Sequence, residues 1–200
     1  MTLAYDLPLC IDLFCGLGGW AEGFLAEGYR VVGFDIDPRF AVVYPGEFVL
    51  QDVRTLDGRR FRDARCIVAS PPCQGWSVAG IPRHWKGGFP DATTWDGAAS
   101  VIATQRIVKA AAVPWLMENP RGMLRKFLPP RETTFLCAWG ATWMKPTDLW
   151  GTYPGSFARP CGPHESARRG AKTGIQGIRD PALRAKIPLP LARAVARGFL

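Results

Sequence analysis

Short apolar runs alternate with helix-spaced segments over the first 120 residues. Residues 9–14 (LCIDLF) form an apolar run that closes on a glycine-rich turn, and the apolar positions of 20–25 recur at helical spacing, which predicts strand, turn, helix. Residues 30–34 (RVVGF) read as a second buried strand, followed by a short helix at 40–44. FVLQDV predicts a third strand closing on Asp52, and CIVAS, residues 66–70, a fourth, followed at once by PPC. Residues 75–95 carry glycines at 75, 80, 87 and 88 and prolines at 82 and 90, and read as a mobile loop. Asp96 is placed to cap a helix whose apolar positions Val101, Ile102, Ile107 and Val108 recur three to four apart and which ends before Pro114. Residues 115–117 then form a fifth strand that delivers Glu118. Beyond Lys145 the sheet-like runs fade, and no internal repeat is present.

Strands separated by helical segments, each ending in a polar or acidic residue, predict an α/β domain on a doubly wound, parallel-type sheet with ligands at the strand C-termini. Three parts follow: a sheet domain at 1–150, a segment rich in Gly, Pro and Arg at 151–183, and a terminal helix at 184–200 that returns to the sheet.

Composition narrows the class. With 200 residues, 48% of them hydrophobic, the chain suits one α/β domain with a buried core. It has neither a basic leader followed by a long apolar core nor a run near ~18 apolar residues, so a soluble, cytoplasmic protein away from membranes is expected. Six cysteines at 10, 15, 66, 73, 137 and 161 are scattered, which favours reduced thiols. Cys161 and His164 would make at most half a metal site, so no metal is expected. The net charge of +8 favours an anionic partner. Seven cations, Arg159, Arg168, Arg169, Lys172, Arg179, Arg184 and Lys186, stand between 151 and 186 against Glu165 and Asp180; a solvated basic face is the plainer reading of the same charges.

The acidic and thiol residues then acquire positions. DLFCGLGG, residues 12–19, puts three glycines where a strand turns into a helix, which lets a ligand approach backbone amides and the helix N-terminus. Asp35, ending the second strand, stands where a carboxylate holds ribose hydroxyls, and Asp52 where one accepts from an adenine amino group. Each is also an ordinary strand-end cap. Cys73, in ASPPCQGWS, follows a buried strand on two stiffening prolines, a rigid mount for a nucleophile; the alternative, a small buried cysteine, sits poorly beside polar Gln74 and flexible Gly75. Glu118 in MENP, against apolar neighbours, is expected to hold its proton more firmly than a solvated carboxyl and so to serve as an acid. Simple capping is its rival.

DLFCGLGG, FDIDP, QDV, SPPCQGWS and ENP stand in the order and rough spacing of the cytosine-5 DNA methyltransferases, and over residues 11–120 the chain resembles that family strongly. CAWGATWMKPTDLWG and RAKIPLPLARAVA resemble its later motifs in the form of short, phage-type members. The resemblance implies a Rossmann-like, class I fold dependent on S-adenosylmethionine and a double-stranded DNA substrate, with 1–150 as the catalytic domain and 151–183 as a minimal target-recognition segment. Phe14, Gly16, Leu17, Gly19, Ile36, Val53 and Pro72 would line the cofactor, Asp35 would take its ribose and Asp52 its adenine amino group. Cys73 would add to C6 of a flipped cytosine while Glu118 engages N3, with Gln74 beside them. The 75–95 loop would act as a lid that meets DNA through Ser77, Arg83 or Lys86. Arg168, Arg169 and Lys172 would contact the duplex further on.

Three departures stand out. Where the family carries two arginines one residue apart, this chain has Lys145 and Thr147, so Lys145 is the remaining cation near the cytosine carbonyl. Only about 30 residues stand where the family inserts a recognition module. Where the family offers an asparagine near the cofactor this chain has Lys186, which would pair with the methionine carboxylate or favour carboxy-S-adenosylmethionine and carboxymethyl transfer. The rival readings are an amino methyltransferase, with Cys73 at its aromatic position, an inactive DNA binder, and an RNA-modifying relative. A nicotinamide-dependent oxidoreductase fits less well, since the usual G-x-G-x-x-G spacing is missing.

Overall fold

The structure, a computed structural model, describes residues 6–162 and 180–200. Buried apolar runs become the centre of one sheet: β1 (Leu9–Leu13), β2 (Arg30–Asp35), β3 (Glu47–Leu50) and β4 (Cys66–Ala69), with helix α1 (Gly19–Ala26) between the first two. Next come the short helix α2 (Ile81–His84), a hairpin of β5 (Trp85–Lys86) and β6 (Phe89–Pro90), the long helix α3 (Ala92–Ala111) and β7 (Trp115–Pro120). Helix α4 (Leu124–Phe127), β8 (Glu132–Phe135), β9 (Pro146–Gly151), α5 (Pro181–Ala185) and α6 (Leu189–Phe199) complete the described chain.

The seven-stranded sheet runs β3-β2-β1-β4-β7-β9-β8. The pairs from β3 through β7 are all parallel, and β9 runs antiparallel to both its neighbours. β1 lies between β2 and β4, so the chain reverses its winding there and opens a crevice at the strand C-termini. All four residues of β4 are buried, as a strand covered on both faces requires. Cys66 and Val68 face the core shared with α1 and α6, while Ile67 and Ala69 face the core shared with α3. On α6 the apolar positions Leu191, Val195 and Phe199 recur every fourth residue and are 0–3% exposed. Each stabilises by roughly 1.5–3 kcal/mol. A Cβ at Gly23 would stand 2.3 Å from Cβ of Ala192, so a side chain there would force α1 and α6 apart.

The doubly wound α/β expectation holds, with four local corrections. β3 ends at Leu50, and Asp52 instead caps a 3-10 turn by accepting from the Arg54 amide at 2.9 Å. The 75–95 segment is structured: Gly87 and Gly88, at φ +60° and +84°, make the two-residue turn joining β5 to β6. Helix α3 starts four residues before the expected cap, because Asp91 accepts from the Thr94 amide at 3.0 Å, whereas Asp96 lies in its first turns and pairs with Arg54. Finally, β9 extends the sheet just beyond Lys145, where its pattern was expected to fade, and β8 pairs with it as the edge strand.

Candidate active site

Three strand ends converge on the crevice. The loop after β1 carries Phe14 at φ +59° and Gly16 at +48°, and the Gly16 amide donates to Asp35 Oδ2 at 3.0 Å. Asp35 Oδ1 accepts from the Asp37 amide, also at 3.0 Å. The carboxylate at the end of β2 therefore shapes the glycine loop directly. Nothing lies within 4 Å of where a Cβ on Gly16 would stand, so the loop opens onto free space beside Asp35. Ile36, the residue after Asp35, is 63% exposed, and Val53 is buried. An exposed apolar side chain next in the chain to a carboxylate suits an adenosine group. The Asp52 oxygens are both engaged by Arg54 at 2.7–3.0 Å, so an adenine amino group would have to share them.

Beneath the loop lies Asp12, 1% exposed, whose Oδ2 accepts from Tyr44 Oη at 3.1 Å while Oδ1 has no hydrogen-bond partner. Burial pushes its carboxyl up to about 8, with the Asp35 charge adding to the rise and the Tyr44 bond opposing it. At neutral pH it is chiefly a neutral acid.

β4 stops pairing with β7 at Ala69 opposite Met117. The chain then leaves the sheet through SPPC, while β7 continues with Glu118 and Asn119 inside it. Two side chains hold the departing loop: Trp20 Nε1 on α1 donates to Ser70 Oγ at 3.0 Å, and Asn119 Nδ2 donates to the Pro71 carbonyl at 2.9 Å. Half-buried Cys73 follows, its carbonyl accepting from the Trp76 and Ser77 amides at 3.0 and 2.9 Å. Burial pushes its thiol up, the cations Lys145 and Arg184 pull it down, and Glu118 opposes them.

Glu118 is 3% exposed, yet its surroundings are not the apolar ones expected. Thr147 Oγ1 donates to Oε1 at 2.7 Å, and Lys145 Nζ lies 3.4 Å from the same oxygen. The sheet register explains this meeting. β9 sets Leu149 opposite Glu118, so Thr147, two residues away, falls on the same face as the diagonal neighbour. Both partners act on Oε1, and Oε2 has no hydrogen bond among the described residues.

Other expected residues separate. Arg83 and Lys86 are exposed on α2 and the hairpin, whereas Ser77 is used internally: it bridges to Gly122, and its Oγ accepts from the Gly80 amide at 3.2 Å. Gln74 and Pro72 are exposed beside Cys73. Gly19 lies against Ile187, which seats the chain before α6 on the start of α1. There Lys186 Nζ is held by Glu22 at 2.5 Å. A lysine so paired needs no anion from a cofactor, and carboxymethyl transfer has no support. Arg168, Arg169, Lys172 and His164 lie outside the described residues. Among the described residues no helix is long and apolar enough to cross a membrane, and no group of three His, Cys, Asp or Glu is arranged to hold a metal.

The profile of the C-5 cytosine-specific DNA methylases matches residues 9–127, which contain the glycine loop, Cys73 and Glu118. The chain belongs to the C-5 cytosine-specific DNA methylase family. This methylase chain is 31% identical to the type II methyltransferase M.AplI of Arthrospira platensis over 124 residues, 58% of the chain and 32% of that protein. It is 34% identical to the type II methyltransferase M.HgiCII of Herpetosiphon aurantiacus over 122 residues, 57% of the chain and 26% of that protein. It thus spans about a third or less of the length of these curated relatives. In fold it is similar to a DNMT2 variant of Spodoptera frugiperda (TM-score 0.54, 15% identity, 76% of this chain and 53% of that one). It is also similar to the methyltransferase EhMeth of Entamoeba histolytica (TM-score 0.51, 13% identity, 79% and 56%). Trp20, Asn119 and Thr147 had no separate signal in the sequence as site residues, since each acts through a contact made only on folding.

Proposed function

We propose that this methylase-family chain transfers a methyl group from S-adenosylmethionine to C5 of cytosine in double-stranded DNA, through a covalent bond to Cys73. The observation that carries this reading is the joint placement of Cys73 on a loop held at both sides and of Glu118 with one carboxylate oxygen held by Thr147 and Lys145. When bound, S-adenosylmethionine supplies an electrophilic methyl group; Gly16, Asp35, Ile36 and Val53 are the residues suited to hold it, with Asp52 shared between adenine and Arg54.

The protein's own groups account for the remaining chemistry. Cytosine stacked in a duplex hides C6, so the base is flipped into the crevice at a cost of a few kcal/mol. Lys145 and Arg184 favour the thiolate of Cys73, which adds to C6 as the S–C bond forms and the ring electrons move toward C5. Glu118, acting as the acid, presents a proton on Oε2 to N3 and gives it up as the ring electrons shift, while Lys145 stands where it can face the cytosine carbonyl. After methyl transfer a base removes the C5 proton, the electron pair restores the C5–C6 double bond, and Cys73 leaves. Arg83 and Lys86, exposed on the structured lid, meet DNA phosphates.

The test is to incubate the protein with unmethylated duplex DNA and S-adenosylmethionine, digest to nucleosides, and compare wild type with Cys73→Ala by mass spectrometry. 5-Methylcytosine from wild type alone supports the reading. Equal product from Cys73→Ala removes the covalent route, and methyl groups found only on an exocyclic amine or on RNA remove the assigned reaction.

A further inference from the structure

Cys137 and Cys161 take no part in the crevice, yet the fold brings them together. Their sulfurs are 2.7 Å apart although the residues are separated by 24 positions. Cys137 sits in the 3-10 turn Leu136–Trp139 that follows the edge strand β8. The later segment is laid beside it by several independent contacts. Glu132 on β8 accepts from Ser156 Oγ at 2.5 Å and from the Phe157 and Ala158 amides at 2.8 and 3.2 Å. The Phe135 amide donates to the Arg159 carbonyl at 3.1 Å, and the Arg159 guanidinium lies 3.6 Å over the Trp139 ring. Both cysteines are half-buried, within reach of a small oxidant, whereas the cross-strand neighbours Cys10 and Cys66 are each 0% exposed.

We propose that Cys137 and Cys161 form a dithiol site oxidised by peroxides, whose disulfide ties residue 161 to the end of β8 just ahead of the basic residues Arg168, Arg169 and Lys172. The sulfurs need to close from 2.7 Å to about 2.05 Å, a shift that side-chain torsions supply. One thiol loses its proton and the thiolate attacks a peroxide oxygen; the O–O bond breaks, giving a sulfenic acid and hydroxide. The second sulfur then displaces the sulfenic oxygen, the S–S bond forms, and the two thiol protons leave in two molecules of water. Hydrogen peroxide is reduced and the two sulfurs are oxidised. Burial and the hydrogen bond with Cys161 push the Cys137 thiol up to about 11, so the reaction accelerates as pH rises from 6 to 8. The site is independent of the methyl-transfer reading.

The experiment treats the full chain with hydrogen peroxide, blocks remaining thiols, and maps cysteine peptides by mass spectrometry without reduction. The expected result is a loss of about 2 Da, one linked peptide containing Cys137 and Cys161, and reversal by dithiothreitol. In Cys161→Ser the loss of mass disappears and Cys137 is trapped as a sulfenic acid by dimedone. A linkage through Cys10, Cys66 or Cys73, a bond between two chains, or both sulfurs still open to alkylation after Cys73 has been oxidised overturns the proposal.

Discussion

Thr147 occupies a position where the resemblance led us to expect a second cation, and its replacement by valine tests the geometry of the centre most directly. Valine keeps the β-branched shape that suits β9, which is paired on both sides, and removes only the hydroxyl. The bond lost is the 2.7 Å donation to Glu118 Oε1, an oxygen on a residue 3% exposed, where water does not readily replace it. A hydrogen bond to a charged group contributes about 1.5–3 kcal/mol. If the bond orients Glu118 as the base adds, kcat/KM falls by roughly 10–150-fold. The loss is expected in kcat with KM for DNA nearly unchanged, because Thr147 acts through Glu118 and touches no phosphate. Thr147→Ser, which restores the donor, is expected to recover most of the rate. Urea titrations of all three proteins separate lost stability from lost catalysis. Valine with wild-type turnover, or serine as slow as valine, refutes the reasoning.

Three further outcomes are expected. Asp12 titrates near 8 in the folded protein against the ordinary 3.8, so folding retains a proton that the unfolded chain releases, and this contribution to stability is present below pH 4 and declines toward pH 8. Urea titrations should therefore show Asp12→Asn gaining on wild type by up to ~1.4 kcal/mol per pH unit across that window, and a constant difference removes the inference. Asn119→Ala breaks the bond to the Pro71 carbonyl and should destabilise by about 1–3 kcal/mol in chemical denaturation; a variant as stable as wild type and alkylated at Cys73 at the same rate shows that Asn119 does not hold the loop. Lys186→Ala removes only a partly exposed pair with Glu22, so the dissociation constant for S-adenosylmethionine, read by calorimetry, should change less than about fivefold. A tenfold weakening would return Lys186 to the cofactor.

The sequence by itself determined the parallel half of the sheet, because β1, β2, β4 and β7 lie in the covered centre and must be written as apolar runs. It also determined that the glycine loop, Asp35 and Cys73 stand at strand ends or just beyond them, since those positions follow from where each run stops; Glu118 follows the apolar run 115–117 but lies inside β7, because pairing with β9 carries the strand on to Pro120. β9 was not legible for the opposite reason. Its sequence, PTDLWG, places Thr147 and Asp148 in a central strand, both 0% exposed, and these become tolerable only when Glu118 takes the hydroxyl and Arg125 and Thr133 satisfy the carboxylate at 2.6–2.9 Å. The 75–95 segment was misread for a related reason. Glycine and proline mark its turns, but its shape depends on Trp85 Nε1 donating to the Gly75 carbonyl at 2.7 Å and on Trp85 stacking with Phe127, a residue 42 positions later. Lys186 looked unmatched in the chain and met Glu22 only when α6 was seated on α1. Periodicity carries the burial of each element along its own length. The partner that satisfies a buried polar group lies on another element, and only the tertiary structure names it.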